Sequence, residues 1–291
     1  MSYPTDRGSV FLEDARILTH QAFAGEQYVL RVQAPRAARR AVPGSFAHIT
    51  CDPAVALRRP LSIMRADPEQ GWLEFLYKPR GTGLTKLAAR RPGESLSVMA
   101  PIGRGFRVDA TRPRLLALGG GVGIPPMIFL ADQVRTRPEL SPLVLMGSEV
   151  PFPFDLVESH LPVFGVGGGA THAVALLEGW RVPSRLASNA GLAGAHRGFI
   201  TDLARDWLQG LPATLHREVQ VFACGPTPML KAVAKLAREF DLPCQVALEE
   251  FMACGIGGCA GCNVLLQTAD GPAMKRVCVD GPVFDAREVY A

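Results

Sequence analysis

Several absences bound what this chain of 291 residues can be. No uninterrupted apolar run reaches the roughly eighteen residues that a membrane-crossing helix needs, so none is expected. The first eight residues contain no apolar stretch of the kind a secretory signal carries, and a cytoplasmic location is the expectation. Basic residues outnumber acidic ones by only four. Arginine greatly outnumbers lysine, which allows a basic cofactor pocket, but no basic stripe or aromatic platform marks a nucleic-acid surface. None of the six histidines stands at metal-ligand spacing from another donor. His48, His172 and His196 therefore read as surface or hydrogen-bonding residues. Residues 150–180 carry a glycine run at 165 and 167–169 and then a helical stretch expected at 171–178; no lysine with a serine or threonine follows the glycines at P-loop spacing, so the segment reads as a flexible connection or lid.

Cysteine is present in an odd number, seven, and most of it is clustered, which argues against a secreted disulfide framework and for a reducing compartment. Cys254, Cys259 and Cys262 form a C-x4-C-x2-C loop, and Cys278 follows after fifteen more residues. That is the spacing of a plant-type [2Fe-2S] site. The glycines at 255, 257, 258 and 261 allow such a loop to wrap closely and turn its amides towards sulfur. Zinc is the other metal that four thiolates suit, although its knuckles usually pair two close cysteine units and only one is present here. Cys51 and Cys244 read as core thiols, as does Cys224 taken alone.

Residues 8–110 carry short alternating strands at 28–32, 45–49 and 72–77, separated by turn chemistry, with one short helix at 84–91. An antiparallel β-barrel is expected there. From 111 to 248 the pattern changes. A buried strand at 115–118 runs into Gly119-Gly120-Gly121-Val122-Gly123 and an apolar helix at 127–133. Further strands are expected at 143–146, 184–187, 219–223 and 245–248, with helices at 201–208 and 229–240, giving a doubly wound α/β domain. Its ligands should sit at the carboxyl ends of the strands, where Gly119, Gly120, Gly121 and Gly123 fall, together with Cys224, Gly225 and Pro226. Residues 249–291 form a small cysteine module.

Five motifs in fixed order carry a resemblance. They are Leu57-Arg58-Arg59-Pro60-Leu61-Ser62-Ile63, Pro79-Arg80-Gly81-Thr82-Gly83-Leu84, the Gly119 turn, Cys224-Gly225-Pro226-Thr227-Pro228-Met229-Leu230, and Leu248-Glu249-Glu250 with the cysteine loop. Together with the closing Asp280-Gly281-Pro282-Val283-Phe284-Asp285, the chain resembles the electron-transfer subunits of type B dihydroorotate dehydrogenases, within the ferredoxin-NADP reductase family. The resemblance implies FAD on the barrel, NAD on the α/β domain and [2Fe-2S] on Cys254, Cys259, Cys262 and Cys278. It places Arg59 at the FAD diphosphate and Ser62 at the flavin ring, with Pro60 and Leu61 between them. Tyr77, Lys78, Gly81, Thr82 and Gly83 are placed at the adenylate and phosphate side.

The same resemblance implies a partner, an FMN-containing dihydroorotate dehydrogenase catalytic subunit, with two copies of each chain, acting in pyrimidine biosynthesis. No side chain of this subunit is then expected to act as a catalytic acid or base. Two turns depart from the family pattern. Gly147-Ser148-Glu149 lacks an arginine, and Ser188-Asn189-Ala190-Gly191 lacks acids. Glu149 would repel a 2'-phosphate, so NADPH is not the expected donor. The alternative within the same chemistry is the reductase subunit of a sulfide dehydrogenase, a hydrogenase or an NADH-dependent ferredoxin:NADP oxidoreductase. An alternative of another class is a redox-sensing protein whose cluster is regulatory.

Overall fold

The computed structural model describes residues 10–167 and 169–291, so residues 1–9, including the start of the expected barrel at 8, and Gly168 of the glycine run lie outside it. Six antiparallel strands close the N-terminal barrel: β1 (Phe11–Phe23), β2 (Gln27–Gln33), β3 (Phe46–Thr50), β4 (Arg59–Asp67), β5 (Trp72–Tyr77) and β6 (Ser95–Ile102). Their order is β1-β2-β5-β4-β3-β6, and closure leaves no free sheet edge. Alternation sets the inside. Leu30, Val32, Ala47, Ile49, Leu61, Ile63, Leu73 and Phe75 all point into one core. A short α1 (Pro35–Ala38) follows β2, and α2 (Gly81–Ala88) follows β5. The helix thus starts three residues before the sequence expectation and stops earlier, because Pro92 disfavours helical backbone at Arg91.

The second sheet runs β11-β8-β7-β12-β13-β16, built from β7 (Arg114–Gly120), β8 (Ser141–Gly147), β11 (Ser184–Ala187), β12 (Val219–Cys224), β13 (Cys244–Ala247) and β16 (Val283–Asp285). Its first five strands are parallel, and β16 joins antiparallel at the edge. Such a sheet must be covered on both faces. Helix α3 (Ile124–Val134) covers one face, and α5 (Ile200–Gly210) and α6 (Thr227–Glu239) cover the other. Helix α3 starts earlier than expected because Pro125 and Pro126 occupy its first turn, where no intrahelical donor is needed.

The segment read as a flexible connection is instead tied down. Strands β9 (Leu156–Glu158) and β10 (His172–Val174) pair antiparallel, so the expected helix over 171–178 is reduced to α4 (Ala175–Gly179). Phe152, Phe154 and Leu176 pack on the sheet core. Arg185, buried at the end of the segment, donates to Ser159 Oγ at 2.8 Å and to the Leu161 carbonyl at 2.6 Å.

The C-terminal module packs against both preceding domains. A hairpin of β14 (Asn263–Thr268) and β15 (Gly271–Arg276) follows the cysteine loop, then β16 enters the α/β sheet and α7 (Ala286–Val289) packs beside it. The cysteine region is wedged against the barrel: Cys262, Cys278, Leu266 and Val277 share a core with Phe46 and Ile102. No helix among the described residues is long and apolar enough to cross a membrane.

Candidate cofactor and iron-sulfur sites

Strand β4 turns one face inward and one outward. Leu61 and Ile63 enter the barrel core, while Pro60 and Ser62 lie half-buried on the outer wall, paired with His48 and Phe46 of β3. Leu61, expected at the cofactor, therefore offers only its backbone. Arg59 is the first residue of the strand. A Cβ on Gly83 would stand 2.9 Å from Arg59 Nε, so the guanidinium lies over the first turn of α2. No side chain caps that turn, and Gly81 and Thr82 are exposed on it. The two stretches quoted apart in the sequence are thus one place, where a guanidinium fork and the free amides of a helix start converge. Both favour a diphosphate. The residues fit FAD in this respect.

Tyr77 behaves differently from its expected role. Its ring is 1% exposed in the barrel core, and its hydroxyl is 2.8 Å from His20 Nε2. Burial holds its phenol well above the ordinary range. Burial and the neighbouring Arg80 lower the Lys78 ammonium from its ordinary value.

At the carboxyl end of the parallel sheet, Gly119 pairs with Cys224, and Gly120 ends β7. A Cβ on Gly123 would collide with the Cys224 carbonyl, so only glycine lets the start of α3 sit against the end of β12. Gly121, with positive φ, has open space beside it. A cleft of about 320 Å³ lies at this end, lined by Gly225, Pro226, Thr227, Glu249, Glu250 and Tyr290 among others. The expectation for Cys224 needs correction. Its thiol is 1% exposed and packed among core side chains, because it points back into the sheet core, and Gly225 and Pro226 reach the cleft in its place. Burial, with the Glu249 charge added, holds that thiol well above its usual range. The surrounding protein pushes the Glu249 carboxyl up as well, although its side chain reaches solvent at the cleft.

Sulfur is gathered in pairs. Cys262 and Cys278 are buried with their sulfurs 3.4 Å apart. Cys254 accepts from the Cys259 amide at 3.4 Å, and Cys259 accepts from the Gly261 amide at 3.4 Å. Burial pushes the Cys254 thiol up, but the amides of Cys259 and Ile256, the Cys259 thiol and the Gly258 amide outweigh it and bring it down to about 6. Cys278 is pushed up to about 12 by burial and the facing Cys262. Among the described residues no three side chains converge as around a single ion. Paired thiols with amides turned to sulfur suit a two-iron centre, whose cysteines act two to each iron. The residues fit that group.

His48 is the residue that sequence reading misplaced. Read as a surface or hydrogen-bonding histidine, it is fully buried, and neither ring nitrogen has a hydrogen-bond partner. The cysteine loop covers it: Gly255, at φ +68°, comes so close that a Cβ there would lie 2.8 Å from His48 Nδ1. Strand alternation put it on the outer wall, and nothing local showed that the wall is covered. Burial, and then the charge of Arg58, lower its pKa to about 4.

Comparison with known proteins follows the same lines. Residues 249–290 match the family described as the iron-sulfur cluster binding domain of dihydroorotate dehydrogenase B. The electron-transfer subunit of dihydroorotate dehydrogenase B (NAD(+)) from Geobacillus sp. (strain WCH70) is 33% identical over 283 residues, covering 95% of this chain and 98% of the relative. The subunit of the same description from Caldanaerobacter subterraneus subsp. tengcongensis is 32% identical, covering 94% and 97%. A solved NADH-dependent reduced ferredoxin-NADP oxidoreductase superposes with a TM-score of 0.74 at 25% identity, over 95% of this chain and 90% of that one. Phthalate dioxygenase reductase, at 15% identity and a TM-score of 0.57, shares the fold. With the barrel, the α/β sheet and the paired cysteines all in family order, the chain belongs to the electron-transfer subunits of dihydroorotate dehydrogenase B, an oxidoreductase component of the ferredoxin reductase fold.

Proposed function

We propose that this chain passes electrons between NAD and an FMN-containing dihydroorotate dehydrogenase catalytic subunit, through FAD and a [2Fe-2S] cluster, in pyrimidine biosynthesis in the cytoplasm. The observation that carries the reading is the contact between two walls: the cysteine loop lies on the outer face of β3, next to the outward row of β4. FAD exchanges two electrons with a nicotinamide and a cluster exchanges one at a time, which is the chemistry the pair supplies when bound. Arg59 and the start of α2 would hold the diphosphate, with Pro60 and Ser62 against the ring. Gly119 to Gly123 and Gly225-Pro226 would admit the dinucleotide to the cleft. Cys254, Cys259, Cys262 and Cys278 would hold the irons.

An apolar surface supports the partner. Phe251 is 94% exposed, and Ile256, Leu265 and Met274 are exposed beside it in sequence or on the hairpin, where Leu265 and Met274 pair across the strands. Met252, next to Phe251 in the chain, packs inward with the cluster core. Exposed apolar side chains beside a cluster loop fit a protein interface, with two copies of each chain as the proposed assembly. The test is anaerobic purification with partners retained, mass spectrometry of the complex, and an orotate-forming assay with NAD+. The expected outcome is two irons, two labile sulfides and one FAD per chain, and a stoichiometric FMN protein that oxidises dihydroorotate. The structural likeness to the NADH-dependent ferredoxin-NADP oxidoreductase favours one other reading. A stoichiometric partner of that type, with no oxidation of dihydroorotate, would establish it instead.

A further inference from the structure

The seam between barrel and cysteine loop contains one polar side chain that the electron route described above does not use. His48 projects from β3 on the outer wall, with Pro60 of β4 beside it on one side and Met99 of β6 on the other. It has no solvent exposure and no partner for either ring nitrogen. A buried imidazole left unpaired costs about 1–3 kcal/mol, so such a group ordinarily has a ligand to meet. Apolar neighbours would fill this space more cheaply, as Phe46 and Met99 do nearby.

A strand and the cysteine loop meet at this point. Pro60 and Ser62 belong to the row proposed for the flavin, and Gly255 directly follows the cluster cysteine Cys254. Nδ1 is the ring atom nearest Gly255. The backbone oxygens of Arg58 and Met252 also face the ring, outside hydrogen-bond geometry, and favour a proton on it, whereas burial and the charges of Arg58 and Arg59 oppose one. An imidazole between two arginines and cut off from water is held neutral, so it carries one N–H and one acceptor nitrogen.

We propose that His48 is a positioning residue for electron transfer, giving its N–H to sulfur of the iron-sulfur centre held by the Cys254 loop and so raising the reduction potential of that centre. A hydrogen bond to cluster sulfur favours the reduced, more negative form. The inference rests on the electron-transfer reading and on bound [2Fe-2S].

The test begins with iron and sulfide content of the anaerobically purified, full-length chain, which checks the cluster reading by itself. Pulse EPR on the reduced wild-type protein labelled with 15N-histidine then reads the contact without any variant. A weak imidazole 15N coupling is expected, and a loaded cluster with no histidine coupling overturns the proposal. EPR-monitored redox titration of His48→Leu should show a more negative potential, by about a tenfold change in the reduction equilibrium, or about 59 mV for one electron. His48→Gln, which keeps a donor, should recover most of the shift. A loaded His48→Leu protein with the wild-type potential defeats the idea. If His48→Leu fails to load iron, the wild-type 15N coupling and the His48→Gln potential still decide it.

Discussion

Arg59 shows how little of a residue's role lies in its own chemistry. A surface arginine is common, but this one lies across Gly83 at the uncapped start of a helix, so its charge and the helix amides act on the same volume. Arg59→Ala should weaken FAD retention at least about tenfold, as loss of a charged hydrogen bond of about 1.5–3 kcal/mol requires, while iron content stays unchanged. Equilibrium dialysis and iron analysis measure both. Gly255 is constrained twice, by φ +68° and by the imidazole against it. Gly255→Ala should cost about 1–3 kcal/mol and lower cluster occupancy, read by denaturant unfolding and visible absorption. His48 should also leave a mark on pH dependence. Its folded pKa, about 4, lies below the ordinary 6.5, so the unfolded chain takes the proton first. Its contribution is present above pH 6.5 and is lost as pH falls towards 4, by up to about 3 kcal/mol. Urea unfolding of the cofactor-depleted chain at pH 7 and pH 5 should show a smaller difference for His48→Gln than for wild type.

At the scale of elements, the hairpin β14–β15 is a projecting, two-stranded piece whose inner side is held by Leu266 in the shared core while Leu265 and Met274 face out. A two-stranded hairpin gains its stability from packing, and the outward pair is not part of it. Leu265→Lys with Met274→Lys should abolish co-purification of the catalytic partner and leave iron, FAD and thermal stability unchanged. Retained partner binding would place the interface elsewhere. The segment between β8 and β11 teaches the complementary point. Its glycines suggested slack, yet aromatic packing and the buried Arg185 fix it to the sheet.

For the whole molecule, the cysteine region acts as a wedge between barrel and α/β sheet. Cys262 and Cys278 share a core with Phe46 and Ile102 of the barrel and with Phe284 of β16. A ligand that binds the folded form alone stabilises it by mass action, so filling the cysteines should stabilise the contact between domains as well as the loop. Oxidative bleaching of the cluster should therefore lower the thermal transition and open residues 249–282 to protease before the barrel is cut, measured by calorimetry and limited proteolysis. Equal protease resistance with and without iron would show that apolar packing alone holds the wedge.

Local physics determined much of this in the sequence. Alternation marked β2, β3 and β5, a strand followed by glycines and an apolar helix marked the nucleotide domain, and cysteine spacing marked the iron site, because each signal is carried by neighbours along the chain. Long-range contact decided the rest. Strands β1 and β6 are defined by closing the barrel on each other, and β16 by the edge of a sheet whose other strands lie far upstream. Tyr77 and Cys224 sit in motifs that name a ligand, yet tertiary packing sends both side chains into cores. His48 reads as one polar position on an outward strand face. Only the cysteine loop, some two hundred residues later in the sequence, makes that face an interior, because burial belongs to the fold and not to the strand.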